Sequence, residues 1–289
     1  MANPRYGICS ICGTYDKLTK EHFPPKKAFN QDDYIVHSID LHKTDRTVVW
    51  KRSVKQGGHF EYVSCVHCNN ITGHWYADHY NEFAELCQPY ARPMNVGIGG
   101  FDVAGFYPLR VVKQVMAMML VSSSPENNQR LSTFSAPRDE KPNIDVDVSL
   151  AYRYRSAIRD FVLNRDAVGI PKPLRLYMYI VANGAGRKTG IGVMNTHNSE
   201  GILMSQEFAW WPLGWILVYD GEPDVFLSDV TGWAELPYNA KAAMEILLRC
   251  YWIASNYPLD FASPDELEAR QAKNLTRLSK CNPDHPSLD

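Results

Sequence analysis

The clearest alternation of hydrophobic and polar residues in this chain of 289 residues runs from Ile144 to Arg155. A period of two predicts a strand with one buried face. Shorter apolar runs, joined by Gly-containing or polar segments of a length that favours antiparallel pairing, predict four further strands. These lie at Leu174–Ala182, Thr189–Asn195, Ile202–Trp210 and Trp215–Tyr219.

A helical period appears in three other segments. Large apolar residues recur every three or four positions from Thr72 to Cys87, which predicts an amphipathic helix with Asn69 at or near its start. A second helix is predicted from Pro108 to Ser122, and a third from Asn239 to Ser255. A capping box with proline at the first helical position predicts a last helix beginning at Ser263.

The segments between these elements set the predicted domain boundaries. Residues 28–45 show no period and are interpreted as an insertion or a short helix, and short strands are predicted at Thr47–Trp50 and Phe60–Val63. Prolines and glycines without periodicity predict a linker at 89–106. The chain is therefore predicted to be α+β, with a small module at 1–88 and a larger α+β domain at 107–289. That domain has a mainly antiparallel sheet, flanking helices and a role in recognition or regulation.

Two Cys-x-x-Cys pairs predict a metal site in the small module. Cys9 and Cys12 form the first pair, and Cys65 and Cys68 form the second. Four thiolates at this spacing are the ligand set of a closed, structural Zn²⁺ site. The alternative is chance spacing of reduced cysteines.

The residues around these pairs resemble a known family. Glu21-His22 precedes Pro24 between the pairs, and Asn69 directly follows Cys68. This order is similar to the HNH endonucleases, ββα-metal nucleases whose cysteine-bearing members fold around a structural zinc. The resemblance covers the first third of the chain and implies a treble-clef ββα-metal module. It also implies metal-dependent hydrolysis of phosphodiester bonds and a role in defence or restriction; DNA is favoured as the substrate, with RNA as the alternative.

The resemblance assigns roles to particular side chains. His22 is expected to be the general base, and Glu21 and the carbonyl oxygen of Asn69 are expected to hold a catalytic Mg²⁺ or other divalent ion, with His74 as a weaker ligand. Simpler interpretations remain open: a structural or surface histidine for His22, a solvated charge beside Lys20 for Glu21, and a helix N-cap for Asn69. The family's middle asparagine, which orients the hairpin, is not evident before the second pair, where His59 is its stand-in.

Composition limits the partners that are expected. A net charge of −2 gives no overall basic field, so nucleic-acid contacts must come from local groups, for which we select Lys26, Lys27, Arg153 and Arg155. For the two arginines, a solvated sheet surface is the alternative. A regulatory protein or effector is a further expected partner of the larger domain. The rival function is a non-catalytic, zinc-dependent nucleic-acid-binding or adaptor protein.

Cysteine usage and hydropathy indicate the compartment. Four of the seven cysteines have metal spacing, and no signal peptide is visible, which predicts a cytoplasmic protein. The longest apolar run, near Val115–Val121, is too short for a membrane span, so no membrane partner is expected.

Overall fold

A computed structural model describes residues 4–41, 48–91, 97–123, 149–181, 186–188, 192–195, 202–221 and 227–251. The strands in these ranges are β1 (Arg5–Ile8), β2 (Tyr15–His22), β3 (Tyr34–Leu41), β4 (Val48–Lys55), β5 (Phe60–Cys65), β6 (Gly97–Phe106), β7 (Arg175–Val181), β8 (Gly186–Lys188), β9 (Gly192–Asn195), β10 (Ile202–Trp210), β11 (Leu213–Asp220), β12 (Ser228–Asp229) and β13 (Ala242–Tyr251). The helices are α1 (Val66–Thr72), α2 (Asp78–Cys87), α3 (Pro108–Ser122) and α4 (Ser149–Leu163), with a π-helix at Gly73–Ala77 and 3₁₀ turns at Gln88–Tyr90 and Thr231–Glu235.

The strands form three sheets. A three-stranded sheet has the order β1-β2-β5, and β3 pairs with β4. An eight-stranded sheet has the order β6-β13-β7-β11-β10-β8, with β12 beside β7 and β9 beside β10. Its pairings are antiparallel except for the parallel contact between β13 and β7. The predicted α+β class and mainly antiparallel sheet are confirmed.

Several predicted elements are found where the pattern placed them. Strands β7, β9, β10 and β11 fall within or overlap the four predicted segments, and α3 has the predicted bounds. Strand β5 contains the short strand predicted at Phe60–Val63, and β4 contains the described part, 48–50, of the one predicted at Thr47–Trp50. The helix predicted from Thr72 begins earlier, because α1, the π-helix and α2 follow one another without interruption from Val66 to Cys87. The helix predicted from Ser263 lies outside the described residues.

Two predicted elements have the wrong type. Residues 149–155 belong to helix α4, because the segment also fits a helical period that places Tyr154, Ile158 and Phe161 against the core. Residues 242–251, predicted as helix, form strand β13, which pairs with β6 along nearly its whole length. Such pairing outweighs local propensity.

Two segments without a period are also structured. Part of the segment interpreted as an insertion or short helix is strand β3, which pairs with β4 from Tyr34–Lys55 to Leu41–Val48. The predicted linker at 89–106 contains the last two residues of the 3₁₀ turn at Gln88–Tyr90 and the whole of β6. The next strand along the chain pairs with β3, and β13, far away in sequence, pairs with β6.

One buried core joins the N-terminal elements to the large sheet. Helix α3 is buried on all sides, as expected of a helix that is apolar around its circumference. Tyr76 donates a 2.7 Å hydrogen bond to the carbonyl oxygen of Val162, and Trp215 donates one of 3.2 Å to the hydroxyl of Tyr80. These bonds fix the helix that follows the second cysteine pair against α4 and β11. No described helix is long and apolar enough to cross a membrane.

Candidate metal centre and active site

The four paired cysteines come together at one end of the three-stranded sheet. Cys9 and Cys12 lie in the turn between β1 and β2, Cys65 ends β5, and Cys68 is in the first turn of α1. Their sulfur atoms all lie within 4.8 Å of one another, and the Sγ atoms of Cys12 and Cys65 are 3.9 Å apart. Tetrahedral zinc with bonds of about 2.3 Å requires sulfur separations near ~3.8 Å. The donor set therefore fits a zinc ion.

Backbone amides donate to two of the sulfur atoms, and among the four thiols the pKa is lowered for Cys9 and raised for Cys65 and Cys68. The amide of Cys65 donates to the sulfur of Cys9 at 3.3 Å, and the amide of Cys68 donates to the sulfur of Cys65 at 3.5 Å. A hydrogen bond from the Cys68 side chain is the main reason that the pKa of Cys9 is lowered to about 4. Gly13 closes the first turn at φ 79°, with its amide bonded to the carbonyl of Cys9.

Asn69 joins helix α1 to strand β2. Its side-chain amide nitrogen donates to Thr19 Oγ1 at 2.9 Å and to the carbonyl oxygen of Lys20 at 3.3 Å. The N-cap of α1 is Cys65, so the N-cap interpretation of Asn69 is wrong. Within the described residues its amide oxygen has no hydrogen-bond donor. That oxygen is available to a cation.

Glu21 is a buried carboxyl group, not the solvated charge of the simpler interpretation. It is 7% exposed, and burial, followed by the nearby thiolate of Cys9, raises its pKa to about 8. Its Oε2 atom is buried and has no hydrogen-bond partner within the described residues. An orphaned carboxylate oxygen is costly unless a proton or a cation satisfies it. Glu21 therefore fits the role of a ligand to a divalent ion.

His22 is half-buried at the end of β2. Its ring lies 5.5 Å from the ring of Phe60, and Nδ1 is buried with no described partner. Burial lowers the pKa of His22, and the positive charges of Lys20 and Lys26 lower it further. At neutral pH the imidazole is therefore uncharged, the state that a general base requires.

Strand geometry places these three groups on two sides of β2. Successive side chains of a strand point to opposite faces, so Glu21 shares a face with Thr19, against which Asn69 packs. His22 shares the other face with the exposed Lys20. Glu21 and Asn69 thus lie on the helix side, whereas His22 lies on the outer side of the strand end.

A second ion would have few protein ligands. Among the described residues, the four cysteines are the one group of three or more His, Cys, Asp or Glu side chains that come close enough to share an ion. Glu21 and Asn69 would supply two oxygen atoms.

Asn30 is a site residue that the sequence did not indicate. It is fully buried, and its side-chain amide donates to the carbonyl oxygens of Pro24 at 2.6 Å and His59 at 2.9 Å. Its own oxygen accepts from the amide of His59. Gly58 lies directly against it, since an added Cβ would be 2.1 Å from the carbonyl oxygen of Asn30. Asn30 therefore ties the loop after His22 to the start of β5.

The His59 side chain, the stand-in for the middle asparagine, has other contacts. Its Nδ1 lies 2.6 Å from the hydroxyl of Tyr34, and its Nε2 lies 3.7 Å from a carboxylate oxygen of Glu61. The hydrogen bonds that join the two ends of the hairpin come instead from Asn30 and the backbone of His59. Asn30 escaped notice because it lies in a segment without any period.

Four other residues predicted to contact nucleic acid or the catalytic ion are exposed. Lys26 lies on the loop after His22, and Lys27 is 3.5 Å from Asp78 in a solvated ion pair. Arg153 is exposed on α4. His74 is exposed on the π-helix, five residues beyond Asn69.

Arg155, which was predicted to contact nucleic acid, has its guanidinium hydrogen-bonded within the chain. Its guanidinium points inwards and donates to the carbonyl oxygens of Ser10 at 2.6 Å, Leu120 at 3.1 Å and Ser123 at 3.0 Å. Because residues 149–155 are helical, alternation along a strand does not apply to this side chain. Arg155 is a structural residue behind the first cysteine pair.

No family model, curated protein or solved structure matches this chain. The similarity to the HNH endonucleases therefore rests on the motif residues Cys9, Glu21-His22, Cys65 and Asn69 with their spacing.

Proposed function

We propose that this chain is a metal-dependent endonuclease of the HNH type that hydrolyses phosphodiester bonds in nucleic acid, with DNA preferred to RNA. The observation that carries the proposal is the buried, unsatisfied carboxylate oxygen of Glu21 next to a histidine with a lowered pKa. Both features lower the free energy of unfolding, so neither is expected at a strand end that has only a structural role. Perturbed titratable groups beside each other are typical of catalytic sites.

In the proposed mechanism the zinc centre is structural. Four sulfur ligands leave no open position, so the ion holds β5 and α1 against the turn after β1. We propose that this arrangement is the treble-clef ββα-metal module that the motif implies. The Asn69 bonds to Thr19 and to the Lys20 carbonyl then fix α1 beside the strand that carries Glu21 and His22.

The chain's own groups divide the reaction between the two sides of β2. His22 accepts the proton of the attacking water, and the Glu21 carboxylate and Asn69 amide oxygen would hold a divalent ion. When bound, that ion stabilises the negative charge that develops on the phosphate and the leaving oxygen. Glu21 must lose its proton to bind the ion, and the ion's charge compensates for the burial that raises its pKa.

The test is a cleavage assay with zinc-loaded protein. Supercoiled plasmid and a folded RNA are incubated with Mg²⁺, with Mn²⁺ or without either ion. We expect metal-dependent cutting that falls by a factor on the order of 10² to 10⁴ in His22→Ala. The matched control is His67→Ala, which removes an exposed histidine between Cys65 and Cys68 and should leave the rate unchanged. Equal cutting by His22→Ala, or no cutting by the wild type, would contradict the proposal.

One observation favours the rival function. Without a bound divalent ion the carboxyl group of Glu21 is protonated at neutral pH, since its pKa is about 8. If Glu21 keeps this proton and no divalent ion ever binds, the chain lacks the metal that cleavage requires. It would then be a zinc-dependent nucleic-acid-binding or adaptor protein. Binding of either nucleic acid without cutting, at any Mg²⁺ or Mn²⁺ concentration, would support it.

A further inference from the structure

Cations and aromatic rings are interleaved on the outer face of the three-stranded sheet. Arg5 on β1, Lys20 and His22 on β2, and Phe60 and Tyr62 on β5 make up this set, which we call the cation–aromatic face. His22 is the cross-strand partner of Phe60, and Lys20 is the partner of Tyr62. The alternation of each strand therefore places these side chains on the same side of the sheet.

The side chains of this face form one continuous series of contacts. The ammonium of Lys20 lies 3.8 Å from the centre of the Phe60 ring, and the guanidinium of Arg5 lies 4.2 Å from that of Tyr62. The Phe60 and Tyr62 rings are 6.3 Å apart, and the His22 ring is 5.5 Å from Phe60. Arg5 and Lys20 are exposed, and the rings beneath them are half-buried. The contacts thus lead from β1 to the proposed general base.

This combination matches the chemistry of an unpaired polynucleotide. Single strands are bound by aromatic rings on which bases stack, next to basic groups that neutralise the phosphates. In a duplex the faces of the bases are stacked on one another and are not available to the rings. Lys20 and Arg5 are on flexible side chains, so each is able to move from the ring to a phosphate when a base takes its place.

We propose that the cation–aromatic face binds unpaired nucleotides of a single-stranded substrate and leads the strand to His22. This inference rests on the proposed nuclease function, because the face leads to a reaction centre only if His22 is the general base. Leu18, opposite Arg5, and His22 are four positions apart, a distance of about 13 Å along the strand. The acidic residue on the same face, Asp16, lies beyond Arg5 at the end away from His22.

The competing explanation is that the two cations only cover half-buried rings on a solvated sheet. Surface cation–π contacts of this kind stabilise proteins modestly without binding any ligand. In that case replacing the rings would change the stability of the protein and would not change its affinity for nucleic acid.

The experiment measures binding without cleavage. Zinc-loaded protein without Mg²⁺ is titrated into fluorescently labelled single-stranded DNA, single-stranded RNA and a hairpin duplex of the same DNA sequence, and anisotropy gives the affinities. We expect tighter binding of the single strands than of the duplex. Phe60→Leu and Tyr62→Leu should each weaken single-strand binding on the order of ten-fold. The control is Tyr15→Leu, a 73% exposed tyrosine on the opposite face of β2, which should bind as the wild type does.

A second pair of variants keeps the test valid if the ring variants are unstable. Lys20→Ser and Lys17→Ser each remove an exposed lysine from β2. Lys20 lies on the cation–aromatic face, and Lys17 lies on the opposite face. Lys20→Ser should weaken binding and reduce its dependence on salt, whereas Lys17→Ser should do neither.

The outcomes separate this inference from the proposed function. Equal binding by Lys20→Ser and Lys17→Ser, or a preference for the duplex, would overturn the inference, even if plasmid is still cut in Mg²⁺. The inference is supported if single-strand binding weakens in Phe60→Leu and Lys20→Ser and stays at the wild-type level in Tyr15→Leu and Lys17→Ser. If the wild-type protein binds single strands through this face but cuts no substrate with Mg²⁺ or Mn²⁺, the nuclease proposal fails and the binding inference still holds.

Discussion

The guanidinium of Arg155 donates a 2.6 Å hydrogen bond to the carbonyl oxygen of Ser10, the residue directly after Cys9. The same group bonds to the carbonyl oxygens of Leu120 and Ser123 at the end of α3. Arg155 thus connects the first cysteine pair to two helices of the larger part of the chain. The zinc centre is held from outside its own motif.

Arg155→Met should destabilise the protein and loosen the zinc centre. Three carbonyl oxygens would lose a charged donor, and we expect the free energy of unfolding to fall by about 3 kcal/mol. Urea denaturation measures this loss, and a chromogenic chelator measures the rate of zinc release. Arg153→Met, an exposed arginine on the same helix, is the control and should change neither. Unchanged stability combined with lower nucleic-acid affinity would instead support the surface role that the sequence predicted.

Asn30→Asp should weaken the hairpin although it keeps the size of the side chain. The aspartate cannot donate to the carbonyl oxygens of Pro24 and His59, which would then be left without this buried donor. We expect a loss of about 2–4 kcal/mol in thermal or urea unfolding, together with slower cleavage. The exposed Asn70, changed to aspartate, provides a control. Wild-type stability in Asn30→Asp would mean that these bonds do not hold the loop.

The cysteine centre was predictable because its information is local. A two-residue gap within each pair is enough to indicate a shared ion. Asn69 and Glu21 were selected only through the resemblance of the surrounding motif to the HNH endonucleases. Asn30 was not predictable, since its partners become neighbours only when β5 forms beside β2. Its buried contacts depend on the tertiary structure and leave no mark on the period of the sequence.

The errors in the larger part of the chain have a related cause. The segment of α4 from Ser149 satisfies both a two-residue and a helical period, so pattern alone cannot choose between them. The segment of β13 has helix-compatible spacing, but its pairing with β6 decides its conformation. Because β6 itself was interpreted as linker, no partner for β13 was visible in the sequence.

Cys65→Ser should lower the zinc content, whereas Cys87→Ala should not. Cys65 belongs to the four-cysteine cluster proposed to bind zinc, and Cys87 is a fully buried core residue on α2. Zinc measured by atomic absorption should stay at the wild-type level in Cys87→Ala despite a packing loss of about 1–2 kcal/mol. Removing zinc from the wild type with a strong chelator should unfold the N-terminal strands, detected as new rapid hydrogen exchange in β1, β2 and β5. Zinc retained by Cys65→Ser would contradict the assignment of the ligands.

The buried carboxyl group of Glu21 should make stability depend on pH in a defined direction. Its pKa is about 8 in the folded protein, compared with an ordinary value of 4.5, so the folded state binds more protons between these values. The contribution of Glu21 to stability is therefore largest below pH 4.5 and is lost as the pH rises through about 8. Glu21→Gln removes this contribution. We expect the variant to gain stability relative to the wild type by about 3 kcal/mol as the pH rises from 5 to 8.

The same titration tests whether Glu21 binds a divalent ion. A cation that coordinates the ionised carboxylate would lower its pKa in the folded state. Added Mg²⁺ should therefore flatten the decline in wild-type stability between pH 5 and 8 and should not affect Glu21→Gln, with both proteins kept zinc-loaded and compared by urea unfolding. Calorimetry should show proton release when the ion binds at pH 7. A decline that Mg²⁺ leaves unchanged, with no proton release, would mean that Glu21 is only a buried acid, and the nuclease would then lack its proposed metal ligand.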